Sequence, residues 1–136
     1  MPMPLTRERD TQQRPYPAQR RYLPVKGSTT IMKGALVVLQ AGYAIPGTEA
    51  TALVAVGCAA ETVTSGTANG SAMVAVDRGV WGYAIKADDA VTVADVGKTV
   101  FVVDDQTIGK TSATDTRSPA GTLYALEGTV AWVEFA

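Results

Sequence analysis

Met73-Val74-Ala75-Val76-Asp77-Arg78-Gly79-Val80-Trp81-Gly82-Tyr83-Ala84-Ile85-Lys86 is the stretch on which the fold turns. β-Branched and aromatic residues run through both halves, with Arg78-Gly79 between them. Such side chains pack well on a pleated surface, and glycine supplies the positive φ of a tight reversal. The stretch predicts two strands, 73–77 and 80–86, joined as a hairpin.

The same texture extends in both directions. Upstream, residues 29–40 form a strand region with Gly34 as a bend or bulge, 43–45 follow, and the chain stops at Pro46-Gly47. Leu53, Val54, Ala55 and Val56 open a nearly continuous apolar run over 53–60, which suits a strand covered on both faces. Residues 62–70 read as a Ser/Thr/Gly/Asn loop. Downstream, Thr92 and Asp95 have the spacing of a capping box, with Gly97 placed for a left-handed cap, so one helical turn precedes a strand over 99–104. Asp104-Asp105-Gln106 turns the chain into 107–111, and residues 114–118 are polar loop. Segments 123–126 and 130–135 close as a second hairpin around Glu127-Gly128. Short strands at this spacing predict an all-β fold, a small barrel or sandwich.

At 136 residues there is room for one domain. Apolar residues make up 46% of the chain, enough to close a core. There is no histidine, which removes Ser-His-Asp and Cys-His nucleophiles and His-ligated zinc. A single cysteine excludes an intramolecular disulfide and a Cys-rich metal site. The expectation is a protein that is not an enzyme and needs no cofactor or metal. No stretch reaches the roughly 18 apolar residues of a membrane span. Met1 to Leu5 leads into charges rather than a signal-peptide core, so synthesis in a reducing cytoplasm is expected.

Charge is unevenly spread. Residues 1–33 hold seven cations against two acids, a net +5, and five of the seven prolines. Residues 34–136 hold five cations against eleven acids, a net −6. Proline removes backbone donors and fixes φ, so residues 1–27 read as an extended, basic arm and 28–136 as the compact β domain. Deleting 1–27 should then leave the domain folded. Three readings of the arm compete: a solvated tail, a phosphate-binding arm, and a segment that docks on a protein partner. The interleaving of Tyr16, Tyr22 and Leu23 with Arg14, Arg20 and Arg21 favours the third, because Tyr and Arg anchor interfaces. The acidic body argues against nucleic acid.

The remaining chemical candidates have simpler readings. Cys58 lies among small apolar residues as core packing. Asp88-Asp89, Asp95, Asp104-Asp105 and Asp115 follow no calcium-loop spacing and read as turn formers. Gly109-Lys110-Thr111 matches the end of a Walker A motif, but position 104 is Asp where the first glycine belongs. Thr67-Ala68-Asn69-Gly70-Ser71 is an equally weak phosphate-loop match. Trp81 and Trp132 read as strand core rather than ligand platforms.

Gly79-Val80-Trp81, the run from Asp88 to Val100 with its Asp95-Val96-Gly97-Lys98 turn, Asp104-Asp105-Gln106-Thr107, Arg117-Ser118-Pro119-Ala120-Gly121 and the closing Trp132-Val133 occur in a recognisable order. Over roughly residues 73–135 this order resembles the capsid cement, or head decoration, proteins of tailed bacteriophages. The resemblance implies a β protein on the outer capsid surface of a virion, bound to the major capsid protein and holding neighbouring coat subunits together. It also implies a homo-oligomer, with a trimer favoured over a dimer, and no nucleic-acid or membrane partner. A head-fibre base or tail component with a host-adhesion role is the alternative.

Overall fold

Alternation along one strand sets the architecture. Leu36 and Val38 point to one side of strand β3 (Leu36–Gln40) and Val37 to the other, and all three are fully buried. A strand covered on both faces needs a core on each side. The computed structural model describes Arg7 and residues 19–135 and has both cores.

The first unit is a five-stranded antiparallel sheet in the order β1-β7-β5-β3-β4. Its other strands are β1 (Arg20–Pro24), β4 (Tyr43–Pro46), β5 (Val54–Ala59) and β7 (Met73–Asp77). It curls until Val25 bridges Ala44 in parallel, bringing its two outer strands together at one end. Val25, Val37, Ala44, Val56, Val74 and Val76 fill the hollow. A two-stranded ribbon, β2 (Thr30–Ile31) with β6 (Val63–Thr64), lies beside it, and Ile31 joins the same core. The second unit is a closed barrel in the order β10-β8-β12-β11-β9. Its strands are β8 (Gly79–Ile85), β9 (Thr99–Val102), β10 (Thr107–Gly109), β11 (Pro119–Glu127) and β12 (Val130–Phe135). Closure removes sheet edges. Its lining residues Val100, Ile108, Leu123, Val133 and Phe135 belong to one cluster with Leu36, Val38 and Ile45 of the sheet. One continuous core therefore joins the two units.

The all-β expectation stands, and the single helical turn lies where expected. Val93–Asp95 form a short 3-10 turn with a reciprocal Thr92/Asp95 capping box. A second such turn spans Ala87–Asp89. Three expectations change. The loop over 62–70 contains β6. More importantly, β7 and β8 are not a hairpin. β7 pairs with β1 and β5, whereas β8 pairs with β12 and β10. Arg78 donates its N–H to Gln19 O, which carries β7 onward along β1, while Gly79 (φ 114°) swings the chain opposite Phe135 of the barrel. The Trp81 indole N–H then donates to the carbonyls of Asp77 and Arg78 and pins the corner.

The β domain also begins earlier than residue 28. Five residues of the stretch read as arm pair with β7, from Arg20↔Asp77 to Pro24↔Met73, and Val25 is wholly buried. Pro24 is tolerated because β1 lies at a sheet edge.

Gly57 sits at a tight point of the sheet. It sits beside the β-bulge where Val37 faces Gly57 but Val38 faces Ala55. Its φ is +142°, and a Cβ there would run into the backbone oxygen of Asp77. Backbone cannot yield to such a contact. Gly57→Ala is expected to destabilise by at least about 3 kcal/mol, from combined strain and overpacking, as read from urea melts. An unchanged midpoint would refute the bulge geometry.

Candidate partner interface

Of the residues expected at an interface, Arg14 and Tyr16 lie outside the described residues, and Arg20, Arg21, Tyr22 and Leu23 form β1. Alternation divides these four. Leu23 packs against the core of the curled sheet, ahead of Val25. Arg20 and Tyr22 take the opposite face. Tyr22 is 61% exposed, lies opposite Ala75 and stands next to the pair Pro24 and Met73, whose methionine is half exposed. The result is a short aromatic-aliphatic strip bounded by cations.

Arg20 is held in place. Its guanidinium donates to both oxygens of Asp77, Nε to Oδ1 at 2.7 Å and Nη2 to Oδ2 at 3.0 Å. This fork keeps the Asp77 carboxyl below the usual range and raises the Arg20 pKa. Arg21 is exposed, and no carboxylate pairs with it among the described residues.

The backbone of β1 has an open side. Gln19 O accepts from Arg78 N, and Val25 N donates to Ala72 O, both toward β7. Residues of an antiparallel edge alternate in the direction of their backbone groups. The odd-numbered residues of β1 thus bond to β7 and the even-numbered ones face outward. Lys26 N, which donates to Ala44 O, continues the outward series. The Val25–Ala44 bridge covers the edge at that end. Among the described residues no strand or bridge covers Arg20 and Tyr22.

A second polar constellation sits on the barrel flank. The Arg117 side chain is 4% exposed; its Nε donates to Glu49 Oε2 at 2.6 Å, and its Nη1 to Asp89 Oδ2 at 2.7 Å and Thr111 O at 3.1 Å. Burial alone would lower the pKa of Arg117, but the two carboxylates outweigh it. Burial pushes Asp89 up, and hydrogen bonds from Thr111 and Arg117 bring it below its ordinary value. Gly109 makes room for the pair, since a Cβ there would lie 2.7 Å from Arg117 Nη1. The Walker-like tripeptide is thereby explained. Gly109 clears space, Lys110 approaches Asp95 at 3.9 Å, and Thr111 donates to Asp89 from both its N–H and its hydroxyl. The loop beyond it holds three consecutive non-glycine residues at positive φ, Ala113, Thr114 and Asp115. Each such residue costs roughly 1–2 kcal/mol, and bonds converging on Ser112 from Asp115, Thr116 and Arg117 hold the turn. The adjacent open depression, about 240 Å³, is lined by Lys86, Asp88, Asp89, Thr111, Ala113 and Arg117. Its balanced charges, with Lys86 on Asp88 at 3.0 Å, give it the chemistry of a staple rather than of an ion site.

Sequence reading treated Asp89 as a turn former and missed its ion pair, because its partners lie 28 and 22 residues away. Cys58 is buried, its pKa is raised by that burial, and it faces the buried hydroxyl of Tyr83. Trp81 packs on the main core, and the half-buried Trp132 stacks across Gly82. Comparison with known proteins finds no family model, no curated protein and no solved structure that matches this chain.

Proposed function

We propose that this chain is a virion structural protein, without catalytic activity, that binds the outer surface of a tailed-phage capsid through the major capsid protein and stabilises it, working as a homo-oligomer. The sequence order over 73–135 supports that class. The observation that carries the contact is β1, which sets Arg20, Arg21 and Tyr22 on the exposed rim of a body whose two units share one core. A cement needs a rigid body and anchors at its surface; a tyrosine on a fixed strand, and an arginine already held by Asp77, lose little entropy on docking. Arg14 and Tyr16 precede Gln19 closely in sequence, and as further anchors they would add avidity.

Cosedimentation of the purified protein with its own empty heads tests the reading. Wild type is expected to pellet with heads, and Tyr22→Ala to bind about tenfold more weakly, the ~1.4 kcal/mol typical of a truncated interface anchor, with its melting unchanged. Failure of the wild type to bind heads, together with binding to a host glycan, would replace the reading with host adhesion.

A further inference from the structure

We infer that the open edge of β1 is a strand-addition site, at which an extended, acidic segment of the partner protein hydrogen-bonds to the backbone of Arg20 and Tyr22. The inference rests on the proposed function for the partner's identity as coat protein, and on geometry for the mode of binding. Arg20 and Tyr22 each turn an N–H and a C=O away from β7, and the strand stands at the rim of its sheet. A strand edge with unpaired backbone groups is a template for another strand. Among the described residues the other sheet edges are those of β4, which Val25 meets at Ala44, and of the two-residue strands β2 and β6. The barrel is closed, and the far end of β1 is capped by the Val25–Ala44 bridge. The slot is therefore short, with four backbone groups.

Charge selects what enters it. Arg20 is neutralised by Asp77, but Arg21, Lys26 and Arg78 around the edge have no carboxylate partner among the described residues. An incoming strand with Asp or Glu beside Arg21 gains; a basic strand is repelled. A second copy of β1 fits badly for the same reason. Centring the pair on Arg21 sets two Arg21 side chains face to face. Centring it on Tyr22 sets each Arg20 against Pro24, which has no N–H to give. The exposed Tyr22 ring, with Met73 and Pro24 beside it, provides apolar cover for alternate side chains of the guest.

Amide hydrogen exchange on the full chain, alone and bound to its own empty heads, tests the inference. In the free protein the Arg21, Leu23 and Val25 amides should exchange slowly and those of Arg20 and Tyr22 quickly. On heads, the Arg20 and Tyr22 amides should slow at least tenfold. Tyr22→Pro removes the outward N–H without touching a bond to β7, and should bind heads at least tenfold more weakly than Tyr22→Ala. Arg21→Glu should also weaken binding at least tenfold. Slow exchange at Arg21 and Leu23 certifies that the proline variant keeps β1 in place, and the wild-type exchange result stands without it. Binding to heads with Tyr22 still exchanging freely would overturn strand addition and leave the capsid reading intact. Protection of Tyr22 in the free protein would also overturn it, since the edge would already be filled by residues 1–18 or, if concentration-dependent, by a second copy. A wild type that ignores heads would remove the capsid reading and this one together.

Discussion

Removal of residues 1–27 is expected to abolish cooperative folding, whereas removal of 1–18 leaves every described strand pairing in place. The longer deletion takes away all of β1 and with it the wholly buried Val25 and the inward-facing Leu23. Full burial of such side chains is worth about 1.5–3 kcal/mol each. Loss of β1 also uncovers the edge of β7, whose Val74 and Val76 are both buried in the same core. Lys26 and Gly27 anchor further groups, since Ser65 Oγ donates to Lys26 O and Gly27 N donates to Asn69 Oδ1. The summed loss, more than about 5 kcal/mol, matches the whole stability of many small domains. Circular dichroism and thermal melts of the two truncations separate the outcomes. A cooperative melt for the chain beginning at Ser28 would return β1 to the role of a peripheral arm.

That boundary shows where sequence reading stops. Most strands were legible because Val, Ile, Thr and aromatic runs sit between turn residues, and the Thr92/Asp95 capping box was legible because it is local. β1 was hidden by its neighbours. Arginines and prolines on both sides of it resemble an unstructured arm, although Arg20-Tyr22-Pro24 against Arg21-Leu23-Val25 already has the two-residue period of a half-buried strand. Pro24 argued against a central strand, and the strand it belongs to is an edge. The stretch 73–86 failed differently. Both strands were placed correctly, but their partners are distant in sequence: Arg20 to Pro24 for one, and Val130 to Phe135 with Thr107 to Gly109 for the other. A one-residue link whose two sides bond to different sheets looks like a turn in sequence. The Arg117 staple was invisible for the same reason, being assembled from Glu49, Asp89 and Thr111 on three separate loops. Of the candidate interface, the side chains of Arg20, Arg21 and Tyr22 were named from composition. The direction of their backbone groups needed the register.

Arg117→Ala is expected to lower stability by about 3–4 kcal/mol, the scale for breaking a buried ion pair by removing one partner, and the melting temperature by roughly 10–15 °C for a domain of this size. The guanidinium ties the Glu49 loop, the Ala87–Asp89 turn and the strained 113–115 turn to one point, so its loss unties all three. Arg117→Lys keeps the charge but cannot bond Glu49 and Asp89 from fixed, separate nitrogens, and should recover less than half of the loss. The pH dependence isolates the electrostatic part. Asp89 is held below its ordinary value in the folded chain, Asp77 by the Arg20 hydrogen bond likewise, and Asp95 chiefly by the Thr92 backbone N–H. A carboxyl with a depressed folded pKa adds stability above its unfolded value, about 3.9 for Asp, and loses it as pH falls through the folded value. Wild-type stability should therefore be flat above about pH 5 and decline below about pH 4. Without Arg117, Asp89 keeps less of its depression, so the variant has less to lose in acid. The gap between wild type and Arg117→Ala should narrow as pH drops from 6 toward about 3, in denaturant melts taken across that range. A gap that stays constant with pH would assign the loss to packing of the guanidinium stem and remove the ion pair from the account of this fold.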